Sequence, residues 1–373
     1  MESIGLYIHI PFCVSKCPYC DFHSAAIGTP LQAEAALDAY AAALLRSIED
    51  WAHRLPATTA DTLYFGGGTP SLLGGSRLAQ VIAAARQHFG LADAEITLEA
   101  NPADDLADTL SAFAAAGGNR LSLGMQSAVP AELALLGRRH TPADVARTMA
   151  DARRAGIENI SLDVMLGVSG QTVSSACHSV DVAADLGATH LSAYLLKIEP
   201  NTPYGACPPD LPSEDDTVDL YIAAFRRMDS HGYHQYEISN AALPNCESRH
   251  NLKYWLSQPY LGIGPAASSC LGGRRFTYPR DTAAFIAGNL PVEDPCDGAP
   301  VGSAEEYALL RLRLAEGLTQ SAYSARFGAP LPDEWMRRAA ALPKSLVTAD
   351  GEGIRLTRDG FLLSNTIISR IIG

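Results

Sequence analysis

The chain has 373 residues, 47% apolar and 18% charged, so it is long enough for two or three domains and apolar enough to bury a large core. Its 28 lysines and arginines stand against 41 aspartates and glutamates, and the net charge of −13 argues against nucleic acid as a partner, because phosphate-backbone binding needs a basic surface. No apolar run has the length of a membrane-spanning helix, and the start lacks the pattern of a signal peptide. We therefore predict a cytoplasmic protein with no transmembrane segment. Any contact with a membrane would be peripheral.

Short apolar runs alternate with longer amphipathic stretches along the first half of the chain. We predict strands at Gly5–Ile10, Thr62–Phe65, Glu95–Ala100, Arg120–Met125, Asn159–Met165 and Thr189–Leu196, and helices at Gln32–Arg54, Ser76–Phe89, Leu106–Ala116, Ala143–Ala155 and Ser174–Leu186. Strands that alternate with helices form a parallel sheet, and six such units suit an open, partial (β/α)6 barrel better than a closed eight-stranded one. Polar and glycine-rich residues follow several of these strands, which indicates a site at the carboxyl ends of the strands.

The alternation fades after about Leu211, where prolines precede another predicted helix, Ser213–Ser230. We divide this α/β chain into a barrel core over residues 1–235, a loop-rich connector over 236–300, and a small, mainly helical, winged-helix-like domain over 301–373. The helical character of the last domain rests on the spacing of apolar residues from Tyr307 to Leu314.

Three of the eight cysteines crowd into one loop directly after the first predicted strand, in the spacing Cys13-x3-Cys17-x2-Cys20. Three thiolates so close together can converge on one soft metal centre. An iron–sulfur cubane usually takes four cysteines, so a loop that offers three leaves one iron open to an outside ligand. A structural zinc ion would instead need a fourth protein ligand, for which His23 is nearest, and a loop without metal is the third alternative.

The other five cysteines are scattered along the chain, at Cys177, Cys207, Cys246, Cys270 and Cys296. A disulfide framework is typical of shorter and more cysteine-dense secreted chains. In a cytosolic protein a scattered cysteine is usually a small buried apolar residue, and we predict that role for each of the five.

The cysteine spacing after strand one of an α/β barrel resembles the signature of the radical SAM superfamily. The resemblance implies a [4Fe–4S] cluster held by Cys13, Cys17 and Cys20, whose open iron chelates the amino and carboxylate groups of S-adenosylmethionine (SAM). In that superfamily the reduced cluster cleaves SAM to a 5′-deoxyadenosyl radical, while the protein holds the cofactor against the cluster and excludes water.

Residues near the ends of the following strands suit a nucleotide. The glycine run Gly66–Gly68 allows close backbone approach, Glu99 offers a carboxylate to ribose hydroxyls, and Arg138 offers a guanidinium to a carboxylate. One branch of the superfamily, the oxygen-independent coproporphyrinogen III oxidase group, has a similar pattern from Tyr7 to Thr172. By that resemblance the SAM contacts are Tyr7, Tyr19, Gly67, Gly68, Thr69, Glu99, Gln126, Arg138 and Asp163.

Two features separate this chain from the decarboxylating oxidases of that branch. The oxidases carry a fourth cysteine two residues after the third and an arm before the first strand, whereas Phe22 occupies the cysteine position here and little sequence precedes the strand. Both features resemble the sister group, the HemW-type heme chaperones. We therefore predict a heme chaperone, with a radical SAM oxidase as the alternative. A cluster-bearing adaptor that uses neither SAM nor heme is a third interpretation. Whether the protein is an enzyme is left open.

The HemW-type group also carries a His-Asn-x-x-Tyr-Trp motif associated with heme, which spans His250–Trp255 here. A heme carrier needs an aromatic surface and an axial ligand, and the resemblance implies heme contacts at His250, Tyr254 and Trp255. Cys246 is a rival axial ligand, and a core histidine that braces a loop is the structural alternative. The expected partners are heme and acceptor hemoproteins.

Overall fold

The structure is a computed structural model that describes residues 3–28, 30–294 and 299–373. Its strands are β1 (Ile4–Ile10), β2 (Phe12–Cys13), β3 (Ala25–Ala26), β4 (Ala60–Gly67), β5 (Glu95–Ala100), β6 (Arg120–Gln126), β7 (Asn159–Leu166), β8 (His190–Leu195), β9 (His234–Gln235), β10 (Asn240–Ala242), β11 (Tyr260–Ile263), β12 (Ser268–Leu271), β13 (Arg274–Thr277), β14 (Val292–Glu293), β15 (Leu318–Thr319), β16 (Val347–Asp350) and β17 (Gly353–Leu356). Its helices are α1 (Pro30–Arg54), α2 (Gly75–Phe89), α3 (Ala107–Ala115), α4 (Pro130–Leu135), α5 (Pro142–Arg154), α6 (Val173–Asp185), α7 (Pro203–Ala206), α8 (Glu214–Ser230), α9 (Arg249–Trp255), α10 (Thr282–Ile286), α11 (Ala304–Arg311), α12 (Gln320–Phe327), α13 (Asp333–Ala340), α14 (Arg358–Leu362) and α15 (Ser364–Ile372).

Twelve strands of the described chain form one sheet, in the order β14-β13-β12-β11-β1-β4-β5-β6-β7-β8-β10-β9. Its six central strands, β1 and β4 to β8, are parallel and coincide with the six strands that the sequence predicts. The predicted α/β fold, a partial barrel of six units with a helical C-terminal part, is confirmed. Because the six strands are parallel, their carboxyl ends lie at one end of the barrel.

Each central strand separates apolar from polar side chains by its two-residue period. On β6 the outward residues Leu121 and Leu123 are fully buried in the core under the helices, while Ser122 and Gln126 point into the barrel and line a cavity. The outer face therefore supplies the hydrophobic core, and the inner face supplies functional groups.

The helices that cover the barrel begin at capping residues that the sequence carries. Thr141 starts α5 by accepting the backbone N–H of Asp144, whose carboxylate accepts the backbone N–H of Thr141 in return. Thr172 and Ser175 form the same reciprocal cap on α6. Over the described ranges, the structure contains no helix that is both long and apolar enough to cross a membrane.

The segment 236–300 contributes strands to the main sheet, although the sequence predicts a loop-rich connector there. Strand β11 pairs in parallel with β1, and β12 to β14 extend the sheet from it by antiparallel pairing. These strands are only two to four residues long, and the strand to which β11 pairs lies at the other end of the chain, so no local pattern marks them. The domain boundaries at residues 235 and 300 stay a prediction.

The C-terminal part has a hydrophobic cluster of its own. Helices α11 to α15 pack around a three-stranded antiparallel sheet, in the order β15-β17-β16, with Tyr307, Trp335 and Phe361 among the buried side chains. Its connection to the barrel includes a hydrogen bond from the Ile238 backbone N–H to the Arg313 carbonyl, at 3.0 Å.

The prediction that the scattered cysteines are buried is wrong for the four that the structure describes. Cys207 is exposed, and Cys177, Cys246 and Cys270 are half-buried. Cys177 lies on α6 and Cys270 on β12, while Cys207 and Cys246 lie between elements, and the apolar character of a thiol does not decide burial at these positions. Cys296 lies outside the described residues.

Glu237 is a buried carboxyl group at the junction between the barrel and the C-terminal part, where it forms a β-bridge with Leu314. Neither of its carboxylate oxygens has a well-aligned hydrogen-bond partner, although Asn240 lies close by. Burial raises the pKa of Glu237 to about 7, in opposition to the smaller effect of nearby amides. The folded state therefore holds a proton here that the unfolded state releases near the ordinary glutamate pKa of 4.5.

We expect Glu237→Gln to reduce the pH dependence of stability. The stabilisation by the protonated carboxyl is complete below the unfolded pKa and is lost as pH rises through the folded pKa of about 7. Glutamine stays neutral, so the variant should match the wild type at about pH 5 and exceed its free energy of unfolding by about 2 kcal/mol at about pH 8. Urea unfolding at both pH values measures this, with the exposed Glu158→Gln as the control. Identical pH dependence in the wild type and Glu237→Gln would contradict it.

Candidate functional site

A cavity of about 530 Å³ opens at the carboxyl ends of the parallel strands and extends down the inside of the barrel. Its wall is made of side chains and glycines from all six central strands, from the loop after β1, and from α9. At the mouth and upper wall lie Cys13, Cys17, Tyr19, Cys20, Phe22, Gly67, Gly68, Thr69, Glu99, Gln126, Arg138, Asp163 and Tyr194, and deeper in lie Tyr7, Tyr64, Arg120, Ser122, Ser161, His190, Ser192, Asn240, His250, Asn251 and Tyr254.

The three clustered cysteines are presented by a loop that is closed at its base. The two short strands β2 and β3 pair in parallel, and the Ile27 backbone N–H donates to the Cys13 carbonyl at 2.8 Å. A turn within the loop brings the Cys20 backbone N–H to the Cys17 carbonyl at 3.2 Å. All three thiols consequently line the mouth of the same cavity.

Two polar side chains of the wall donate toward these sulfur atoms. The Thr69 hydroxyl lies 3.7 Å from the Cys13 sulfur, and the Arg138 guanidinium lies 3.6 Å from the Cys17 sulfur. Donors of this kind stabilise thiolates, the form in which cysteine binds metals. Three thiols that face one cavity, with a guanidinium beside them, fit the donor set of an iron–sulfur cluster with one iron left open.

The zinc alternative finds less support in the arrangement of His23. The Nε2 atom of His23 lies 3.3 Å from the Thr282 hydroxyl, and its backbone carbonyl contacts the His9 Nε2 at 2.8 Å. His23 is not among the residues that line the cavity with the thiols. Over the described ranges, no three His, Cys, Asp or Glu side chains are close enough to hold a single metal ion.

The SAM residues implied by the sequence resemblance all lie on the wall of this one cavity. Glu99 accepts the Tyr64 hydroxyl at 2.8 Å and the Gly67 backbone N–H at 3.2 Å, and burial raises its pKa. Burial and the neighbouring Glu99 raise the pKa of Asp163 to about 7. The two carboxyl groups therefore lie in a poorly solvated part of the wall, where a ligand can form hydrogen bonds with them.

Gln126 ends β6, the strand that lies between those of Glu99 and Asp163, and Arg138 contacts the same strand. Gln126 has a φ of 65°, which is uncommon outside glycine, and its side-chain oxygen accepts the Tyr194 hydroxyl at 2.7 Å. Arg138 donates to the Gly124 carbonyl at 2.8 Å and leaves its Nε without a partner. Strained backbone and an unfilled donor often mark a ligand site, because the ligand completes the interactions that the chain leaves open.

The His-Asn-x-x-Tyr-Trp motif forms α9, which closes the bottom of the barrel. The Glu95 carboxylate accepts the backbone N–H groups of Arg249 and His250, at 3.0 Å each, and so fixes the start of this helix under the sheet. Gly5 allows the close approach, since a Cβ there would lie 3.2 Å from the His250 ring. The motif is thus part of the cavity wall, which the sequence did not indicate.

His250 is 1% exposed, and both of its ring nitrogens already have partners. Nδ1 lies 2.7 Å from the Thr62 hydroxyl, and Nε2 lies 2.8 Å from the Tyr254 hydroxyl. Burial lowers the pKa of His250 to about 3, so the ring is neutral. Trp255, at the other end of the motif, is half-buried and is not one of the residues that line the cavity. Axial ligation of heme by His250 stays a prediction, and it requires that one of the two ring hydrogen bonds break.

Sequence reasoning missed the polar residues at the cavity floor, chiefly Arg120, Ser161 and His190. Arg120 and Ser161 lie near the amino ends of their strands, far from the carboxyl ends where a site in this kind of fold is sought first. The signal that would have found them is the two-residue period, since each shares an inward face with a predicted site residue: Arg120 with Gln126, and Ser161 with Asp163.

Two family descriptions match parts of the chain. Residues 7–183 match the radical SAM superfamily, and residues 303–363 match the HemN C-terminal domain. The first range covers the central strands and the cysteine loop, and the second covers most of the C-terminal hydrophobic cluster.

Proteins named heme chaperone HemW are similar over the full length. The protein from Mycobacterium tuberculosis is 37% identical, covering 100% of this chain and 95% of its own length. The protein from Escherichia coli is 35% identical, and the match covers 99% of this chain and 98% of that protein. The protein from Bacillus subtilis is 32% identical, and the match covers 98% of each chain. Among solved structures, the radical SAM enzyme coproporphyrinogen III oxidase (HemN) of Escherichia coli has a TM-score of 0.83 at 24% identity, covering 99% of this chain and 90% of that one. At this identity the last match shows a shared fold.

Proposed function

Because the chain belongs to the radical SAM superfamily and, within it, to the family of the HemW proteins, we propose that it is a heme chaperone that binds a [4Fe–4S] cluster, SAM and heme, and delivers heme to acceptor hemoproteins. The single observation that carries the proposal is the convergence of the three cysteines and nine SAM residues on one cavity. The full-length similarity to proteins named heme chaperone then favours heme as the cargo.

In this proposal Cys13, Cys17 and Cys20 hold the cluster, and the cluster supplies an iron that chelates SAM and an electron that can reduce it. The loop keeps the thiols at the mouth through the paired strands β2 and β3. Thr69 and Arg138 stabilise the thiolates by donating hydrogen bonds to them.

SAM occupies the cavity beside the cysteines. The backbone at Gly67 and Gly68 approaches its methionine part, Glu99 and Asp163 accept hydrogen bonds from its ribose, and Arg138 meets its carboxylate. The remaining residues of the set, Tyr7, Tyr19, Thr69 and Gln126, orient the cofactor and limit its contact with water. A cavity of about 530 Å³ can hold a ligand the size of SAM, and we expect the bulkier porphyrin to bind outside the barrel or at its edge.

Heme contact is proposed at the α9 segment through His250, Tyr254 and Trp255. The neutral ring of His250 has the protonation state that an iron ligand needs. Its bonds to Thr62 and Tyr254 hold α9 against the barrel, so ligation would be coupled to a movement of this helix. The acceptor hemoproteins, the cytoplasmic location and the absence of nucleic-acid binding belong to the same proposal.

Heme titration of His250→Ala tests this assignment. We expect the variant to bind heme at least about tenfold more weakly than the wild type and to lose the absorption spectrum of the wild-type complex, because both an axial bond and the anchoring of α9 are removed. His178→Ala, which changes an exposed histidine on α6, is the matched control and should bind as the wild type does. The Cys246→Ala variant tests the rival ligand in the same assay. An unchanged absorption spectrum in His250→Ala would show that His250 does not ligate the heme iron.

A further inference from the structure

Arg120 is a buried cation at the floor of the cavity that no residue neutralises by contact. It is the first residue of β6, it is 2% exposed, and its guanidinium forms neither a hydrogen bond nor an ion pair within the described part of the chain. Its Nε atom is fully enclosed and has no partner. A buried guanidinium without a partner is costly, so a group from outside the chain is expected to meet it.

The neighbouring carboxylates have other contacts and form no ion pair with Arg120. Glu99 accepts from Tyr64 and Gly67, and Asp163 lies 3.5 Å from the Ser122 hydroxyl. The Glu95 carboxylate accepts hydrogen bonds from the first two backbone N–H groups of α9. Glu99 and Asp163 are close enough for the charge of Arg120 to lower their pKa values, but their oxygens do not approach within 4.0 Å of its nitrogens.

The histidines of the floor cannot supply an anion, and their polar atoms are also occupied. His190 contacts the Ser161 hydroxyl through Nδ1 at 2.7 Å and the Tyr236 hydroxyl through Nε2 at 2.8 Å. Burial lowers the pKa of His190, as it does that of His250. Among the described residues of the floor, the two histidines are therefore neutral and already bonded, while the Arg120 guanidinium has no partner.

Aromatic rings form a wall beside this cation. The ring centroids of Tyr7 and Tyr64 lie 6.1 Å apart at an interplanar angle of 24°, and those of Tyr64 and His250 lie 5.1 Å apart at 26°. Such a wall favours a flat apolar ligand, while the guanidinium favours an anionic group at its end.

We propose that the cavity floor is a second ligand subsite, in which Arg120 binds the carboxylate of a planar, aromatic acid whose ring packs along Tyr7, Tyr64 and His250. A single negative charge suits the site better than a phosphate dianion, because Glu99 and Asp163 lie in the layer above and repel excess charge. The subsite uses none of the cysteines, and of the residues assigned to SAM it shares only Tyr7. It adds a ligand to the proposed function and does not require heme.

Fluorine NMR with 4-fluorobenzoate and its uncharged analogue 4-fluorobenzamide tests the subsite on the full-length, cluster-reconstituted protein. We expect the acid to bind at least about tenfold more tightly than the amide, since the charge-assisted hydrogen bonds exist only for the carboxylate. Arg120→Met should abolish this preference and Arg120→Lys should keep part of it, because lysine retains the charge without the two-pronged geometry.

Arg226→Met, which removes an exposed arginine of α8, is the matched control and should keep the full preference. Equal binding of acid and amide by the wild type overturns the proposal, and this comparison stands even if Arg120→Met does not fold. A preference that survives in folded Arg120→Met, or that disappears in Arg226→Met, overturns it too. No heme is added in this experiment, so a failure of heme binding is seen separately.

Discussion

Cys17→Ala is expected to abolish assembly of the [4Fe–4S] cluster and, with it, tight binding of SAM. Three thiols face the cavity mouth, and a cluster already held by only three protein ligands cannot lose one without exposing a second iron. Cys17 is also the thiol that the Arg138 guanidinium approaches, so its loss disrupts the part of the wall that is assigned to the SAM carboxylate. Iron and sulfide content after anaerobic reconstitution, with the cluster absorbance, measures the effect.

Cys177→Ala is the matched control for this experiment. Cys177 lies on α6, away from the cavity, and is half-buried like Cys17, so its removal tests the general cost of losing a thiol. We expect it to retain the full iron content. An intact cluster in Cys17→Ala would show that another residue completes the donor set and would refute the assignment of the cysteine loop.

Gly68→Ala is expected to have the second-largest effect, through backbone crowding rather than through loss of a ligand. A Cβ at this position would lie 2.5 Å from the Phe12 carbonyl oxygen and 3.0 Å from the Cys13 sulfur. The neighbouring backbone cannot yield easily, because the Gly68 N–H donates to the Ile10 carbonyl at 2.8 Å and the Thr69 N–H to the Phe12 carbonyl at 2.7 Å. The added methyl group must therefore displace either the cysteine loop or the glycine run.

Overpacking of this kind costs about 1 to 3 kcal/mol, and here the cost falls on the thiol that binds the cluster. We expect lower cluster occupancy and at least about tenfold weaker SAM binding, measured by iron content and by calorimetric titration with SAM. Gly351→Ala is the control, because a Cβ there meets nothing within 4 Å. Normal cluster content and SAM affinity in Gly68→Ala would contradict the close packing of the glycine run against the cysteine loop.

The sequence was sufficient to predict the parallel core of the fold. Strands buried between helices and cavity carry a strong apolar pattern, and helices such as α5 and α6 begin at recognisable capping residues. The cysteine spacing and the polar strand ends are local signals, so the wall around Cys13, Glu99 and Asp163 could also be predicted.

The bottom of the barrel could not be predicted, because its contacts join distant parts of the chain. The position of α9 depends on the hydrogen bonds from Arg249 and His250 to Glu95, more than 150 residues earlier. The pairing of β11 with β1 is likewise non-local. The role of His250 as a heme ligand stays a prediction, and its place in the cavity wall beside Arg120 is what the local sequence does not indicate.

The chaperone proposal and the oxidase alternative differ in what happens to a porphyrin. Phe22, at the position where the oxidases carry a fourth cysteine, is 66% exposed at the cavity mouth. This side chain supplies no metal ligand, and an assay for decarboxylated porphyrin products tests the oxidase alternative directly.

The most direct test uses one preparation of the reconstituted protein, held without oxygen. One portion is titrated with heme and followed by absorbance, and another is incubated with SAM, dithionite and coproporphyrinogen III and analysed for decarboxylated products. Our account predicts saturable, stoichiometric heme binding and no protoporphyrinogen. Formation of protoporphyrinogen, or the absence of saturable heme binding, would contradict it.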